Sequence, residues 1–353
     1  MAWDGVLLFE NASNVLGEDV GFRRCGRLVG VDASAAAVLE AGMVSRRALG
    51  IDVQRVDPTA VPSTWPEIDT EGFAVFAHEP RGGYADTRRT ARAFGRAARH
   101  GGAGVLRHAP VAAVRADGDR VTGVWLTDGR AIATGTVVVA AGADSAALVA
   151  PLGVDLPIGV AHEFAIRADT GRVLGERPVL VDLIGRQDAR AHGSGRLLLG
   201  AWDPTPPGAR DELIARAGAR FAARFPGFRS VTFTASFNTR RDTTPDHRPL
   251  IGAAGPDGLF VAAGCGEHGL GIVPAVGRLV ADLLCDGASS RPDIPGTDFR
   301  PDRFTERPRS PRPRSPESGR PAPKDPTEPG PDRAALAQDQ VLSPDPGRRP
   351  GRA

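Results

Sequence analysis

Gly264, Gly266 and Gly269 stand in the spacing GxGxxG, after the apolar run GLFVAAG and before IVPAVGRLVADLLCDG, an order that predicts strand, glycine turn, helix. Such a turn presents unobstructed backbone N–H groups and the positive end of a helix dipole, so it suits an electron-rich group. A dinucleotide fingerprint also needs a second strand after the helix, with an acid about 20 residues on. Here the helix runs into DGASSRPDIPG, which leaves a nicotinamide cofactor only the weakest of the available readings. Gly271 brings the glycines to more than a packed turn needs, although a plain strand-to-helix turn stays open as the alternative. The second stretch with chemistry is RRDTTPDHRPLIG, where a guanidinium fork such as that of Arg241 could pair both oxygens of a carboxylate. Taken alone, an Arg-Arg pair also marks a solvated strand end.

Composition removes several other chemistries. The 44 Lys plus Arg against 42 Asp plus Glu leave a net charge of +2, so no nucleic-acid or membrane-surface partner is expected. The only lysine is Lys324, in a proline-rich tail, which excludes a lysine Schiff base, a lysine base and a phosphate loop ending in lysine from the folded body. Cys25, Cys265 and Cys285 form no CxxC pair, so neither a disulfide framework nor a metal site is expected. The opening MAWDGVLLFE lacks the basic start of a signal peptide, and no apolar run reaches bilayer length. These features predict a cytoplasmic chain in a reducing compartment.

The elements that must position the two stretches follow from length and pattern. A chain of 353 residues has room for about two domains. TRRTARAFGRAARHGG predicts a helix capped by Asp86 and ended at Gly101 or Gly102, followed by a short strand GVLRH. VAAVRAD, RVTGVWLT and RAIATGTVVVAAG, divided by Asp117-Gly118 and Asp128-Gly129, predict a meander whose last, fully apolar strand returns into a parallel sheet. PVLVDLI, RLLLGAWD and SVTFTASF with the helix DELIARAGARFAARF predict an α+β domain. Residues 306–353, proline-rich and poor in aliphatics, cannot build a core and are expected to be disordered.

In order, four stretches resemble the D-amino-acid oxidase superfamily of flavoenzymes, which includes the glycine and sarcosine oxidases. They are VVVAAGADSAALVAPLGVDLPI, RPVLVDLIGRQDARAHGSGRLLLGAWD, RRDTTPDHRPLIG and GLFVAAGCGEHGLGIVPAVGRLVADLL. The resemblance runs over about residues 15–305 and lacks the family's opening strand, GxGxxG loop and helix. It implies an α/β FAD-binding domain, with an N-terminally truncated parallel sheet plus β-meander, joined to an α+β substrate domain and the disordered tail. The expected division assigns 1–80 and 151–240 to the substrate domain, 81–150 and 241–305 to the FAD-binding domain, and 306–353 to the tail.

Carried over by position, the resemblance implies cofactor contacts at Val111, at Ala141, Gly142 and Ala143, and at Gly264, Gly266, Glu267, His268, Gly269, Leu270 and Gly271. It implies that Arg241 holds a substrate carboxylate. His268 either orients substrate and tunes the flavin or is a structural histidine. Thr239 stands where some sarcosine oxidases carry a flavin-bonded cysteine, so the FAD is expected to be non-covalent. Asp188 replaces a frequent tyrosine ahead of Arg190. The absent lysine shifts weight from oxidase toward dehydrogenase, or toward an oxidase that uses arginine or histidine. The implied activity is hydride transfer from the carbon–nitrogen bond of an amino acid or secondary amine to FAD. The alternative is a non-catalytic remnant or subunit of such an enzyme.

Overall fold

The computed structural model describes residues 1–171, 175–193, 195–201, 210–226 and 232–304, so the proline-rich tail lies outside the described residues. The chain opens with α1 (Ala2–Glu10) and α2 (Ala12–Val15), followed by β1 (Arg23–Arg24), β2 (Arg27–Val31) and α3 (Ala36–Ala48). Next come β3 (Gln54–Val56), α4 (Val61–Thr64), β4 (Val75–Glu79), β5 (Gly83–Tyr84) and α5 (Thr87–His100). The meander is β6 (Val111–Asp117), β7 (Arg120–Leu126) and β8 (Ala131–Ala133), and β9 (Val137–Val139) and α6 (Ser145–Val149) follow it. β10 (Gly159–Asp169), β11 (Val179–Asp182), β12 (Gln187–Ala191), β13 (Arg196–Ala201), α7 (Arg210–Arg224) and β14 (Thr232–Thr243) form the middle. β15 (Leu250–Ala253), β16 (Leu259–Ala263) and α8 (Gly269–Cys285) complete the elements used below.

The larger sheet has the order β14-β10-β13-β12-β11-β2-β4-β3 and is antiparallel except where β11 runs parallel to β2. Strand alternation decides what each face carries. Ile166, Ala168, Leu180, Ala189, Leu197 and Leu199 turn to one face and pack under Ala217, Phe221 and Phe225 around α7. On the other face, Val29, Val31, Val75, Ala77 and Val181 pack against Leu39 and Met43 of α3. β14, β10, β13 and β12 continue that second face, and the register places Asp188, Gly200, Glu163 and Arg241 on it.

The smaller sheet has the order β15-β16-β9, with β9 parallel to β16, so the fully apolar strand does return into a parallel pairing as expected. One side packs on α8 through Ile251, Ile272, Val276 and Leu279. Val114, Val121, Val139 and Leu259 form the core shared with the meander. α1 lies so close along α8 that a Cβ on Gly5 would strike the Gly271 carbonyl. The observed architecture is the expected class of mixed α/β and α+β layers.

Three local expectations change. RAIATGTVVVAAG is not one strand: it breaks into β8, which closes the meander against β7, and β9, which pairs with β16 in the smaller sheet, and the Thr134 hydroxyl donates to the Thr136 carbonyl in the turn between them. Residues 104–108 form no strand, and Leu106 is 60% exposed. Among the described residues no ladder partner lies beside that run, and an extended segment without one gains nothing from its β propensity. α8 starts at Gly269, three residues before the expected Ile272, so Leu270 and Gly271 belong to its first turn. The helix after Asp86 forms as read: the Asp86 side chain accepts from the Arg88 and Arg89 N–H groups, and Gly101 caps the other end.

Candidate functional site

β16 ends at Ala263, and the backbone turns through Gly264 (φ +71°) and Gly266 (φ +58°) before α8. A side chain at Gly264 is doubly opposed, because a Cβ there would lie 2.5 Å from Thr244 Cγ2. The turn's N–H groups converge on one acid: Gly264 N donates to Asp242 Oδ2 at 2.5 Å, and Gly266 N donates to Asp242 Oδ1 at 3.3 Å. The expectation of an anion-accepting turn therefore has a visible occupant, supplied by the end of β14. Burial, reinforced by the Asp242 charge, pushes the Cys265 thiol up to about 11, which disqualifies it as a thiolate nucleophile.

A third segment closes on the same acid. Gly142 (φ +55°) follows β9 and faces Asp242, whose Oδ2 lies 4.0 Å from where a Gly142 Cβ would be. Ala141 N donates to the buried Ser145 hydroxyl at 3.1 Å, and Ala143 sits in the short turn that follows. Arg240 reaches across to Asp144 at 2.9 Å, an exposed pair that orients more than it stabilises.

Arg241 turns to the opposite side of β14 from Arg240 and meets Glu163 of β10, with Nε 3.1 Å from Oε1. Thr239 is exposed next to this pair. Further along the same sheet face, Arg190 lies 4.4 Å over the Tyr84 ring. Asp188 fits because Gly200, its cross-strand neighbour, has no Cβ to collide with the carboxylate. His268 is the N-cap of α8 and is partly buried, whereas the side chain of Glu267 lies outside the described residues. Val111 sits on the meander opposite Leu126. Leu270 packs with Phe9, Val20 and Ala93, and Gly271 meets α1, so packing accounts for both positions.

The TTPD run has a structural task that spacing alone does not show. Thr244 Oγ1 donates to the Arg248 carbonyl at 2.8 Å, and Asp246 accepts from Arg303 Nε at 2.9 Å and Nη2 at 2.8 Å. Burial opposes ionisation of Asp246, but the Arg303 fork and the Arg248 N–H outweigh it and hold the carboxyl below its ordinary value. A depressed carboxylate stabilises the fold above its unfolded value and loses that contribution as pH falls through its folded value. Asp246→Asn is therefore expected to lower the thermal midpoint at neutral pH, with the gap to the parent chain closing in strong acid. A gap that is constant across the pH series would refute the assignment.

Asp242, Glu163 and Arg303 are site and support residues absent from the sequence expectations. Asp242 adjoins Arg241 in a stretch already singled out, but no spacing ties Glu163 or Arg303 to it. Among the described residues no group of His, Cys, Asp and Glu could hold a metal, and no helix is long and apolar enough to cross a membrane.

The chain is 27% identical over 302 residues to the 4-methylaminobutanoate oxidase (formaldehyde-forming) of Paenarthrobacter nicotinovorans, covering 80% of this chain and 36% of that protein. It is 31% identical over 202 residues to the D-amino acid dehydrogenase of Paramagnetospirillum magneticum, covering 56% of this chain and 46% of the relative. The chain thus spans less than half the length of these two curated relatives. The crystal structure of L-proline dehydrogenase from P. horikoshii superposes with a TM-score of 0.76 at 21% identity, covering 86% of this chain and 82% of that one, a likeness of fold. The family model described as FAD dependent oxidoreductase matches residues 1–283, and the chain accordingly belongs to the DAO family of FAD-dependent oxidoreductases.

Proposed function

We propose that the chain oxidises the carbon–nitrogen bond of an amino acid or secondary amine, with non-covalent FAD as the hydride acceptor. The observation that carries this reading is the convergence of the Gly264 and Gly266 N–H groups on the carboxylate of Asp242, the residue that follows Arg241 on β14. Asp242 is the stand-in that supports the fit: an electron-rich edge with two acceptor atoms would satisfy the same donors, and Gly142 carries no side chain against it. Gly264, Gly266 and the Ala141–Ala143 turn would hold the flavin end, with His268 beside them and Val111 toward the adenine. Thr239 offers no thiol for a covalent link. Bound there, FAD supplies the electron sink.

The chain's own residues supply position. Arg241 fixes a substrate carboxylate with a fork that sets two atoms at once and so orients the adjacent amine-bearing carbon. The rigid antiparallel pairing of β10 and β14 holds that fork in place. Three free cysteines suit a reducing cytoplasm. The test is to mix the FAD-supplemented chain with a panel of amino acids and N-methylated amines, following flavin bleaching and carbonyl product. No bleaching with any member of the panel would refute the activity.

Asp242 also favours a second reading, in which an internal acid fills the cradle permanently and the chain is a remnant or subunit that binds no flavin. Equilibrium titration with FAD separates the two. If Asp242 is a displaceable occupant, Asp242→Ala is expected to tighten FAD about tenfold, the order of one charge-assisted hydrogen bond exchanged. If neither the parent chain nor the variant binds FAD, the remnant reading stands.

A further inference from the structure

Glu163 and Arg241 come from neighbouring strands and meet by register. Thr239 pairs with Glu163 and Arg241 pairs with Ala161, which sets the acid and the guanidinium diagonally on one sheet face. The Arg241 side chain is 18% exposed and that of Glu163 is 32% exposed, so the pair is half withdrawn from water yet reachable. An acid held there competes with any anion that approaches Arg241. A ligand carrying only a carboxylate must displace Glu163 and leave it facing a second negative group. A ligand with an ammonium on the adjacent carbon returns to Glu163 the cation it has lost. The zwitterion exchanges one ion pair for two, whereas the plain carboxylate exchanges one for one and adds a repulsion.

We propose that Glu163 is a specificity-determining residue, which makes the Glu163–Arg241 pair a reader of zwitterionic amino acids and rejects carboxylates that lack the amine. The inference rests on the reading of Arg241 as the carboxylate clamp under the proposed function. Arg240 is engaged with Asp144 on the other side of β14, so it does not supply the cation at this pair.

Alanine and propionate differ by the amino group alone and serve as the probes, with dissociation constants measured by saturation-transfer NMR on the full chain, with and without added FAD. The parent chain is expected to hold alanine about tenfold more tightly than propionate, the scale of one partly shielded charge contact. Glu163→Gln is expected to bring the ratio close to one, chiefly by tightening propionate. Glu163→Asp keeps the charge and is expected to retain part of the preference, which separates loss of charge from a damaged fold. An unchanged ratio in Glu163→Gln, with both ligands lost in Arg241→Ala, overturns this inference and leaves the clamp standing. Binding of both ligands intact in Arg241→Ala overturns the clamp and this inference with it.

Discussion

Asp182→Ala is expected to lower the free energy of unfolding by about 3–5 kcal/mol, the range for stripping one partner from a buried ion pair. Asp182 ends β11 at 1% exposure, so protein donors stand where water would otherwise meet its carboxylate. Gly185 N donates to it at 2.7 Å, Gln187 Nε2 at 3.0 Å and Arg224 Nε at 2.9 Å. Arg224, in the last turn of α7, also donates to the carbonyls of Asp69 and Glu71 and lies 4.0 Å over the Phe73 ring. The node therefore ties α7, the β11–β12 hairpin and the segment before β4 into one unit beneath the sheet whose other face carries Arg241. Removing the carboxylate leaves a guanidinium in a shielded site with two carbonyls and a ring, which do not neutralise it. Urea unfolding of Asp182→Ala, Arg224→Met and the double variant checks the account. The double variant should lose less than the sum of the singles, because it leaves no charge behind. Losses below about 1 kcal/mol in Asp182→Ala, with additive behaviour, would show that water reaches the node.

Much of this architecture was legible where the determining interactions are local. The meander follows from Asp117-Gly118 and Asp128-Gly129, and both glycines do sit at positive φ, +55° and +86°. Asp86 announces the start of α5 because a cap acts within three residues. The large sheet was not legible in its order, because pairing β11 with β2 joins segments far apart in the chain and nothing in either run specifies its neighbour. GVLRH shows the same limit from the other side: an apolar run carries a propensity but not the presence of a partner. At the candidate site the glycine spacing and Arg241 stand out as motifs, whereas Glu163 becomes part of it only through the register of β10 against β14. Asp242 reads in the sequence only as the neighbour of an arginine, since a carboxylate's role as an internal ligand depends on where the glycine turn folds back.

Arg241→Ala is expected to raise the Michaelis constant for a carboxylate-bearing amine by roughly 30-fold to 1000-fold, equivalent to about 2–4 kcal/mol for a charge-assisted bidentate pair in a shielded site. The variant loses more than an attractive contact. Glu163, 3.1 Å from the guanidinium in the parent chain, remains on the sheet face without that partner and repels the incoming carboxylate. FAD content should not move, because the donors proposed for the flavin belong to Gly264 and Gly266, which bond Asp242 and not Arg241. Arg241→Lys should recover only part of the loss, since a point charge restores attraction but not the fork that orients the carbon to be oxidised. If Arg241→Ala instead keeps turnover and loses flavin, the residue serves the cofactor or the β10–β14 pairing. The clamp must then be sought along the same sheet face. Arg190 becomes the first candidate there, because it is held over Tyr84 on that face, whereas Arg240 is engaged with Asp144 and Arg248 lies in the loop braced by Thr244 and Asp246.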